Sequence, residues 1–245
     1  MIELQDVQFR YPRGDFRLRV ESLVVDGGQS TCWVGPSGTG KTTLLHLVAG
    51  IHTAESGNVI TLGKELHEMS DAERRAFRIT RLGLVFQDFA LLDYLSVLDN
   101  ILLPYRITPS LRMKACDRQR AESLADSLGI AEYLKRKPSE LSQGERQRVA
   151  ICRAVVAEPE LVLADEPTAN LDPENSSRVL DALQAYSDEN QATLIIVSHD
   201  RDTIERFENR VDVSPYCFRE RVAESLSSSA TTSEGRSHHR GPVDA

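Results

Sequence analysis

The chain has 245 residues, 40% of them hydrophobic and 27% charged, and its formal net charge at pH 7 is −8. That length and apolar fraction allow one large α/β domain or two small ones with packed cores. The acidic balance argues against a nucleic-acid partner, because a nucleic-acid-binding domain would carry a basic face.

The first thirty residues alternate apolar and polar side chains in the manner of β-strands. The alternation runs through residues 2–11 and returns over residues 16–20. Gly27 and Gly28 then turn the chain into a short, β-prone apolar run at residues 30–34. We expect this third strand to lead directly into the motif that follows it.

Residues 35–42 match the phosphate-binding loop pattern G-x-x-x-x-G-K-[ST]. The N–H groups of such a turn, followed by the helix predicted over residues 41–49, form an anion site for nucleotide phosphates. Lys41 is predicted to reach the outer phosphates and Thr42 to ligate Mg²⁺. The alternative, a glycine turn before an ordinary helix, requires neither the lysine nor the hydroxyl. The predicted nucleotide-binding residues here are Gly35, Pro36, Ser37, Gly38, Thr39, Gly40, Lys41, Thr42 and Thr43.

Strand and helix patterns alternate through the middle of the chain. Residues 57–62 and 82–87 read as strands, and Ser70 with Glu73 forms a capping-box signature at the start of a charged helix. From residue 88 to about 156 the pattern is largely helical, with prolines as interruptions. We predict that this stretch is a helical insertion into a sheet.

Apolar runs at residues 161–165 and 193–197 predict two more buried strands. Between them, Asp172 followed by Pro173 reads as the N-cap and first position of a helix that continues to about Glu189. Because helices alternate with buried strands, the sheet is predicted to be largely parallel.

Asp165 and Glu166 end one of these strands, where the ligands of parallel sheets bind. In phosphate-loop NTPases, an acid at this place belongs to the Mg²⁺ site. We predict that Asp165 holds Mg²⁺ through its water shell and that Glu166 orients the attacking water as general base. The alternative is a surface acidic pair before the turn at Pro167.

The sequence has no run near the roughly 20 apolar residues of a membrane span, and its start lacks the basic residues of a signal peptide. We therefore expect a cytoplasmic chain whose membrane role, if any, comes through a partner. The four cysteines are far apart. Cys32 and Cys152 lie in apolar runs, so a core role is expected and a disulfide or metal role is the alternative.

Residues 141–149 read Leu-Ser-Gln-Gly-Glu-Arg-Gln-Arg-Val and resemble the Leu-Ser-Gly-Gly-Gln signature of the ATP-binding cassette (ABC) ATPases. Ser142 and Gly144 match the signature, whereas Gln143 and Glu145 depart from it. Ser142 and Glu145 also form a capping box, and the two interpretations are compatible. In the family, this helix N-terminus faces the γ-phosphate bound by the other subunit.

Other residues match family landmarks in chain order. Tyr11 matches the aromatic that stacks on adenine, the alternative being a strand aromatic in the core. Gln87 matches the glutamine that ligates Mg²⁺ and senses the transporter. Residues 169–172 match the loop that crosses the dimer interface, although Asp172 is equally an N-cap. His199 matches the histidine that contacts the γ-phosphate, with a purely structural role as the alternative.

The resemblance covers about residues 1–212 and implies an α/β fold of the P-loop NTPase type. Its ABC version has a RecA-like parallel sheet core, an N-terminal antiparallel β subdomain and a helical subdomain, here at about 88–156. We predict one ATPase domain over residues 1–225. Beyond Asp212 the closing strand and turn of the family are not recognisable, and residues 211–218 are the candidate replacement.

The resemblance also implies how the chain works. ATP and Mg²⁺ would be its cofactors, and two copies would form a homodimer around two ATP molecules. An integral membrane permease would be a separate subunit and would hold the chain on the inner face of the cell membrane. The implied catalytic residues are Lys41, Gln87, Glu166 and His199. The implied Mg²⁺ ligands are Thr42, Gln87 and Asp165.

Residues 70–78, 83–92 and 98–104 resemble the branch that contains lipoprotein-releasing, macrolide-exporting and cell-division ATPases. The implied function is ATP hydrolysis that drives a permease. The alternative is a non-transporting ATPase that gates a membrane partner in cell-division or cell-wall control. DNA-repair and chromosome types are disfavoured because no long coiled-coil insertion separates the motifs. The sequence does not reveal the substrate.

The last part of the chain, residues 226–245, is rich in Ser and Thr and is expected to be a disordered tail. His238 and His239 are expected to be solvated there, and a metal-binding pair is the alternative.

Overall fold

The computed structural model describes residues 1–169 and 171–219, with residues 217–219 described by their backbone alone. Within that part, two five-stranded sheets form the framework. The predicted tail, including His238 and His239, lies outside the described residues.

The first sheet is antiparallel and comes mainly from the N-terminal quarter of the chain. Its strand order is β10-β2-β1-β4-β5. Strands β1 and β2 alternate buried and exposed residues because one face packs on the core while the other meets solvent. The strands are β1 Ile2–Arg10, β2 Phe16–Val25, β4 Ser56–Thr61, β5 Lys64–Glu65 and β10 Cys217–Arg219.

The second sheet is parallel throughout, with the order β6-β7-β8-β3-β9. Strands β7 and β8 are buried at every position, so their sequences are apolar except at the strand ends. The predicted parallel core is therefore confirmed. The strands are β3 Ser30–Val34, β6 Leu82–Val85, β7 Leu161–Asp165, β8 Thr193–Ser198 and β9 Asn209–Asp212.

Three helix starts that the sequence predicts are confirmed by their caps. Ser70 and Glu73 close one capping box, Ser142 and Glu145 close another, and Asp172 accepts a hydrogen bond at the start of a third helix. The helices are α1 Lys41–Val48, α2 Asp71–Arg81, α3 Val97–Ile101, α4 Leu103–Ile107, α5 Ala115–Ser127, α6 Gln143–Val155, α7 Pro173–Asn190 and α8 Arg201–Glu205.

Helix α6 connects two of the three apolar cores. Val149 and Cys152 pack in the core of the helical region, whereas Ile151 and Val155 pack in a core that lies on the parallel sheet. The remaining core lies between α1 and the two sheets and includes the buried Trp33. The insertion predicted over residues 88–156 is thus largely helical, and its last helix also covers the sheet. Its exact limits stay a prediction.

The C-terminal segment for which the sequence suggested no role completes both sheets. Strand β9 pairs with β3, and the Val213 N–H donates to the Val34 carbonyl at 2.9 Å. Strand β10 then pairs with β2. Residues 211–218 therefore tie the end of the strand that precedes the phosphate loop to the antiparallel sheet.

Cys32 and Cys152 are buried and unpaired, and burial raises the pKa of each thiol to about 12. Their predicted core role is confirmed. Among the described residues, no helix has both the length and the hydropathy that a membrane span requires.

Candidate nucleotide-binding site

The predicted site residues meet at one edge of the parallel sheet. Because β3, β6, β7 and β8 run parallel, their carboxyl ends lie on the same side. The phosphate loop, Gln87, Asp165 with Glu166, and His199 follow these four strands in turn. Residues that are far apart in the sequence are thereby brought to a common edge.

The phosphate loop is held closed by its own lysine. Lys41 is 7% exposed and donates from Nζ to the carbonyls of Gly35 and Pro36, at 2.8 and 3.1 Å. The Thr39 hydroxyl also donates to the Pro36 carbonyl at 2.8 Å. Gly38 and Gly40 adopt φ values of 79° and 82°, which suit glycine at a tight turn before a helix. The lysine ammonium therefore lies over the loop, where an outer phosphate would be bound.

Tyr11 contacts the helix that follows this loop. Its hydroxyl lies 2.9 Å from Thr43 Oγ1, and its ring packs edge-on against Phe9 and His52. The ring is partly buried against the core of the antiparallel sheet. Both interpretations of Tyr11 agree with this position, because the ring packs on the core and is still partly exposed beside the loop. Adenine stacking stays a prediction.

Asp165 and Thr42 form the part of the site that suits a divalent cation. Asp165 is 5% exposed, and its Oδ1 atom is buried without a hydrogen-bond partner. Burial is the main cause that raises the pKa of Asp165, and the Glu166 charge adds to it. A Thr42 hydrogen bond and the Lys41 charge act in the opposite direction. A buried carboxylate oxygen beside a hydroxyl is the oxygen donor set that Mg²⁺ prefers, so these residues fit the ion.

Glu166 and His199 are joined by a short contact. Glu166 Oε1 lies 2.6 Å from His199 Nδ1, and the Ser198 hydroxyl donates to Glu166 Oε2 at 3.4 Å. The Glu166 side chain is 11% exposed and that of His199 is 62% exposed. Glu166 has a φ of 48°, and its N–H donates to the Val197 carbonyl at 2.9 Å. The carboxylate is thus oriented from several sides in a conformation that non-glycine residues seldom adopt.

A pocket at the same edge is lined by Gln87, Glu166 and His199, among other residues. Gln87 is exposed at the start of the turn after β6. The structure therefore brings together the glutamine, the proposed base and the histidine that the sequence analysis assigned to one site.

Ser142, Gly144 and Asp172 lie at the starts of helices α6 and α7. Gly144 packs against Asn175, whose side chain receives a hydrogen bond from Arg148 and donates one to Asp172, each at 2.5 Å. Among the hydrogen bonds of the described residues, none joins Ser142, Gly144 or Asp172 to the phosphate loop. One protomer thus presents the starts of helices α6 and α7 together.

Ser198, Arg148 and Asn175 are contacts that sequence reasoning missed. Ser198 ends an otherwise apolar strand directly before His199, which is a signal that could have been used. Arg148 and Asn175 are 27 residues apart, and nothing in the local pattern of either helix indicates that they meet.

Comparisons with known proteins agree with this geometry. The family model described as "ABC transporter" matches residues 18–169. A lipoprotein-releasing system ATP-binding protein from Nitrobacter winogradskyi is 36% identical over 215 residues, which cover 86% of this chain and 92% of that protein. The macrolide export ATP-binding/permease protein from Syntrophobacter fumaroxidans is 37% identical over 82% of this chain but only 28% of its own length.

Solved structures show the same fold. A dimeric structure of the bacterial ABC transporter cassette MJ0796 superposes with a TM-score of 0.79 at 29% identity, covering 87% of this chain and 95% of that one. A second dimeric structure of MJ0796, in a post-hydrolysis state bound to ADP and Pi, has the same TM-score at 28% identity.

Proposed function

The chain belongs to the ABC transporter family of ATP-binding proteins, and we propose that it drives a separate membrane permease. It is an ATPase with the ABC fold. The observation that carries the proposed ATP site is the convergence of the phosphate loop, Asp165, Glu166 and His199. These residues meet at the carboxyl ends of adjacent parallel strands. This is where a nucleotide binds in such sheets.

The proposed mechanism begins with the phosphates of ATP. The Lys41 ammonium would release the loop carbonyls and bind the outer phosphate oxygens, and loop N–H groups would bind the rest. Thr42, Asp165 and Gln87 are the residues that would hold Mg²⁺, which when bound neutralises charge on the phosphate oxygens. Tyr11 would bind the adenine ring by stacking on it.

Glu166 would act as the general base. Its carboxylate would accept a proton from the attacking water as the γ-phosphate is transferred. The contact with His199 Nδ1 fixes the carboxylate, while the exposed His199 ring would approach the γ-phosphate. Two fixed groups that face the same phosphate would lower the entropy cost of positioning the water.

The second half of each ATP site would come from another copy of the chain. Ser142 and Gly144 at the N-terminus of α6 would contact the γ-phosphate that is bound by the loop of the partner protomer. The dimeric arrangement of the MJ0796 cassette supports this proposal. Binding of ATP would therefore close the dimer, and hydrolysis would open it.

An apolar groove beside the Gln87 turn supports the permease proposal. Leu84, Phe86, Leu103 and Ile107 line it, and Ile107 is 57% exposed. A permease segment in this groove would touch the turn that carries Gln87, and would hold the chain at the inner face of the membrane.

The type of transport is proposed from the relatives. Lipoprotein release or macrolide-type export fits the names of the proteins to which the chain is similar. The comparisons do not favour the cell-division alternative.

The chemistry is tested with Glu166→Gln. We expect this variant to bind ATP but to lose at least about 100-fold in hydrolysis, because the amide cannot accept the proton of the water. Glu189→Gln, an exposed change on helix α7, is the control. A Glu166→Gln protein that hydrolyses ATP at the wild-type rate contradicts the assignment of the base.

The permease proposal is tested by co-expression with a candidate four-span protein that has a large extracytoplasmic domain. Ile107→Asp should abolish copurification, because a charge would be buried in the groove. Val24→Asp makes the same change at a residue that is 54% exposed on the antiparallel sheet, and copurification should persist. Equal recovery of both variants with the permease would count against this groove.

A further inference from the structure

The turn that follows β6 has an unfavourable backbone conformation. Phe89 and Ala90 are consecutive and have φ values of 63° and 48°, in the left-handed region that L residues rarely occupy. Such conformations persist when neighbouring groups hold them. This turn begins at Gln87. Contacts that hold the backbone of the turn therefore also affect the position of the Gln87 side chain.

Two backbone hydrogen bonds close the turn, from the Phe89 N–H to the Phe86 carbonyl at 3.1 Å and from the Ala90 N–H to the Asp88 carbonyl at 2.7 Å. Arg153 adds side-chain contacts to the same turn. Its Nη1 donates to the Ala90 carbonyl at 2.5 Å, and its Nη2 donates to the Phe89 carbonyl at 2.6 Å. The planar guanidinium binds both carbonyls of the left-handed pair at once, which the single ammonium of a lysine could not reproduce. The contact spans 63 residues of sequence.

The two carbonyls are the principal partners of this cation. Burial lowers the pKa of Arg153 to about 10, and the charge of Asp88 acts in the opposite direction. Among the ion pairs of the described residues, none involves Arg153. A partly buried cation loses part of its hydration, so hydrogen bonds that satisfy its N–H groups are favoured.

We propose that Arg153 is the positioning residue of Gln87. The inference rests on the proposed role of Gln87 in the ATP site. Arg153 lies near the C-terminal end of α6, and the N-terminal end of that helix carries Gly144. A displacement of α6 relative to the sheet would therefore move the Gln87 turn. Helix α6 links the surface that faces the partner protomer to the Gln87 side chain of its own protomer.

A partner bound in the groove beside the turn would also affect the position of Gln87. Arg153, Phe86 and Ala90 all line the groove that is proposed to receive the permease. A segment bound there would contact the guanidinium and the turn together. The position of Gln87 would then depend on both the groove and the dimer interface.

A double-mutant cycle with Gln87→Ala tests the proposal. Arg153→Lys retains the charge and loses the two-carbonyl contact, and we expect kcat for ATP hydrolysis to fall on the order of 10- to 100-fold. In the Gln87→Ala background the same change should have no further effect, because the residue it positions is gone. Arg118→Lys, in an exposed ion pair on α5, is the control and should leave kcat unchanged in both backgrounds.

Hydrogen exchange provides a readout that does not depend on activity. Without ATP, a peptide spanning residues 86–92 should exchange faster in Arg153→Lys, while a peptide from β7 should not change. Arg153→Gln, tested in the same way, is the second variant if Arg153→Lys does not fold.

Three results would overturn the inference. The first is a wild-type kcat for ATP hydrolysis in Arg153→Lys. The second is a double variant whose loss of kcat equals the product of the losses of Arg153→Lys and Gln87→Ala. The third is unchanged hydrogen exchange of residues 86–92 in Arg153→Lys. Failure of the proposed function can be told apart from failure of this inference. If the wild-type protein hydrolyses no ATP but Arg153 holds the turn, the peptide of residues 86–92 would still exchange faster in Arg153→Lys than in the wild type.

Discussion

At the residue scale, the buried carboxylate of Asp165 opposes folding while it suits the binding of a cation. Its Oδ1 atom lies in the interior without a partner, and burial raises its pKa. An acid with a raised pKa in the folded state makes an unfavourable contribution at pH 7, and that contribution disappears below the pKa of the unfolded chain. The benefit of this group to the protein would come only with the proposed Mg²⁺ ion.

Asp165→Asn should consequently stabilise the protein without ligand and inactivate it. We expect the Tm at pH 7 to rise by about 2–4 °C for each kcal/mol gained. The gain should shrink as the pH falls and should disappear well below about 4, because the wild-type carboxyl group is then protonated in both states. Thermal unfolding across this pH range is the measurement.

Asp126→Asn makes the same chemical change at an exposed position on α5 and should leave the Tm unaltered. A lower Tm for Asp165→Asn at pH 7 would show that the Thr42 and Lys41 interactions outweigh burial.

The sequence indicates candidate chemical residues of the site more readily than it indicates the residues that contact them. Lys41, Asp165 and Glu166 stand in local motifs whose spacing is set by the nucleotide, so their type and position are readable. Ser198 contacts Glu166 across 32 residues of sequence, and Arg153 contacts Ala90 and Phe89 across 63 and 64 residues. Such a contact depends on how elements pack, and no local pattern records it.

At the element scale, helix starts were predictable because a cap is local. Ser142 and Glu145 lie three residues apart and satisfy each other's backbone N–H groups, so the start of α6 can be predicted from four residues. The pairing of β9 and β10 is not local. Each strand is short and joins a partner more than 170 residues earlier, which is why the C-terminal segment had no predicted role.

Substitution by alanine should affect the stability of the protein differently at Gly83 and at Gly144. A Cβ at Gly83 would lie 2.5 Å from the Ala154 carbonyl oxygen, so β6 and α6 would have to separate. A Cβ at Gly144 would meet only ordinary contacts at 3.4 Å or more, in a helix where alanine is favoured. We predict that Gly83→Ala lowers the free energy of unfolding by about 1–3 kcal/mol, whereas Gly144→Ala does not lower it.

ATP hydrolysis should also distinguish these two variants, and here Gly144→Ala is the variant that we expect to be impaired despite its normal stability. Gly144→Ala should lose activity because the added methyl group lies where the partner's phosphate is proposed to approach. Denaturant unfolding and ATPase assays on both proteins provide the measurement. An active Gly144→Ala protein with normal stability would argue against the contact between Gly144 and the phosphate.

At the scale of the whole molecule, different elements of one protomer carry the two halves of the proposed ATP site. The phosphate loop, Glu166 and His199 lie at the edge of the parallel sheet, while Ser142 and Gly144 lie at the start of α6 with Asp172 beside them. A second copy can complete both sites at once, since each protomer offers one half to the other. In this proposal the nucleotide would become part of the interface, and hydrolysis would remove a contact that holds the dimer together.

The shared ATP site is tested most directly by the mass of Glu166→Gln in solution with ATP and Mg²⁺. Light scattering during gel filtration measures this mass. This variant is chosen because it should bind ATP without consuming it. The controls are the same protein without nucleotide and the double variant that also carries Gly144→Ala, and both should be monomeric or much weaker dimers.

We predict that Glu166→Gln forms a dimer with ATP and Mg²⁺ and that this dimer dissociates when they are removed. A protein that binds ATP yet remains monomeric at high concentration, even with its permease present, would contradict the shared site.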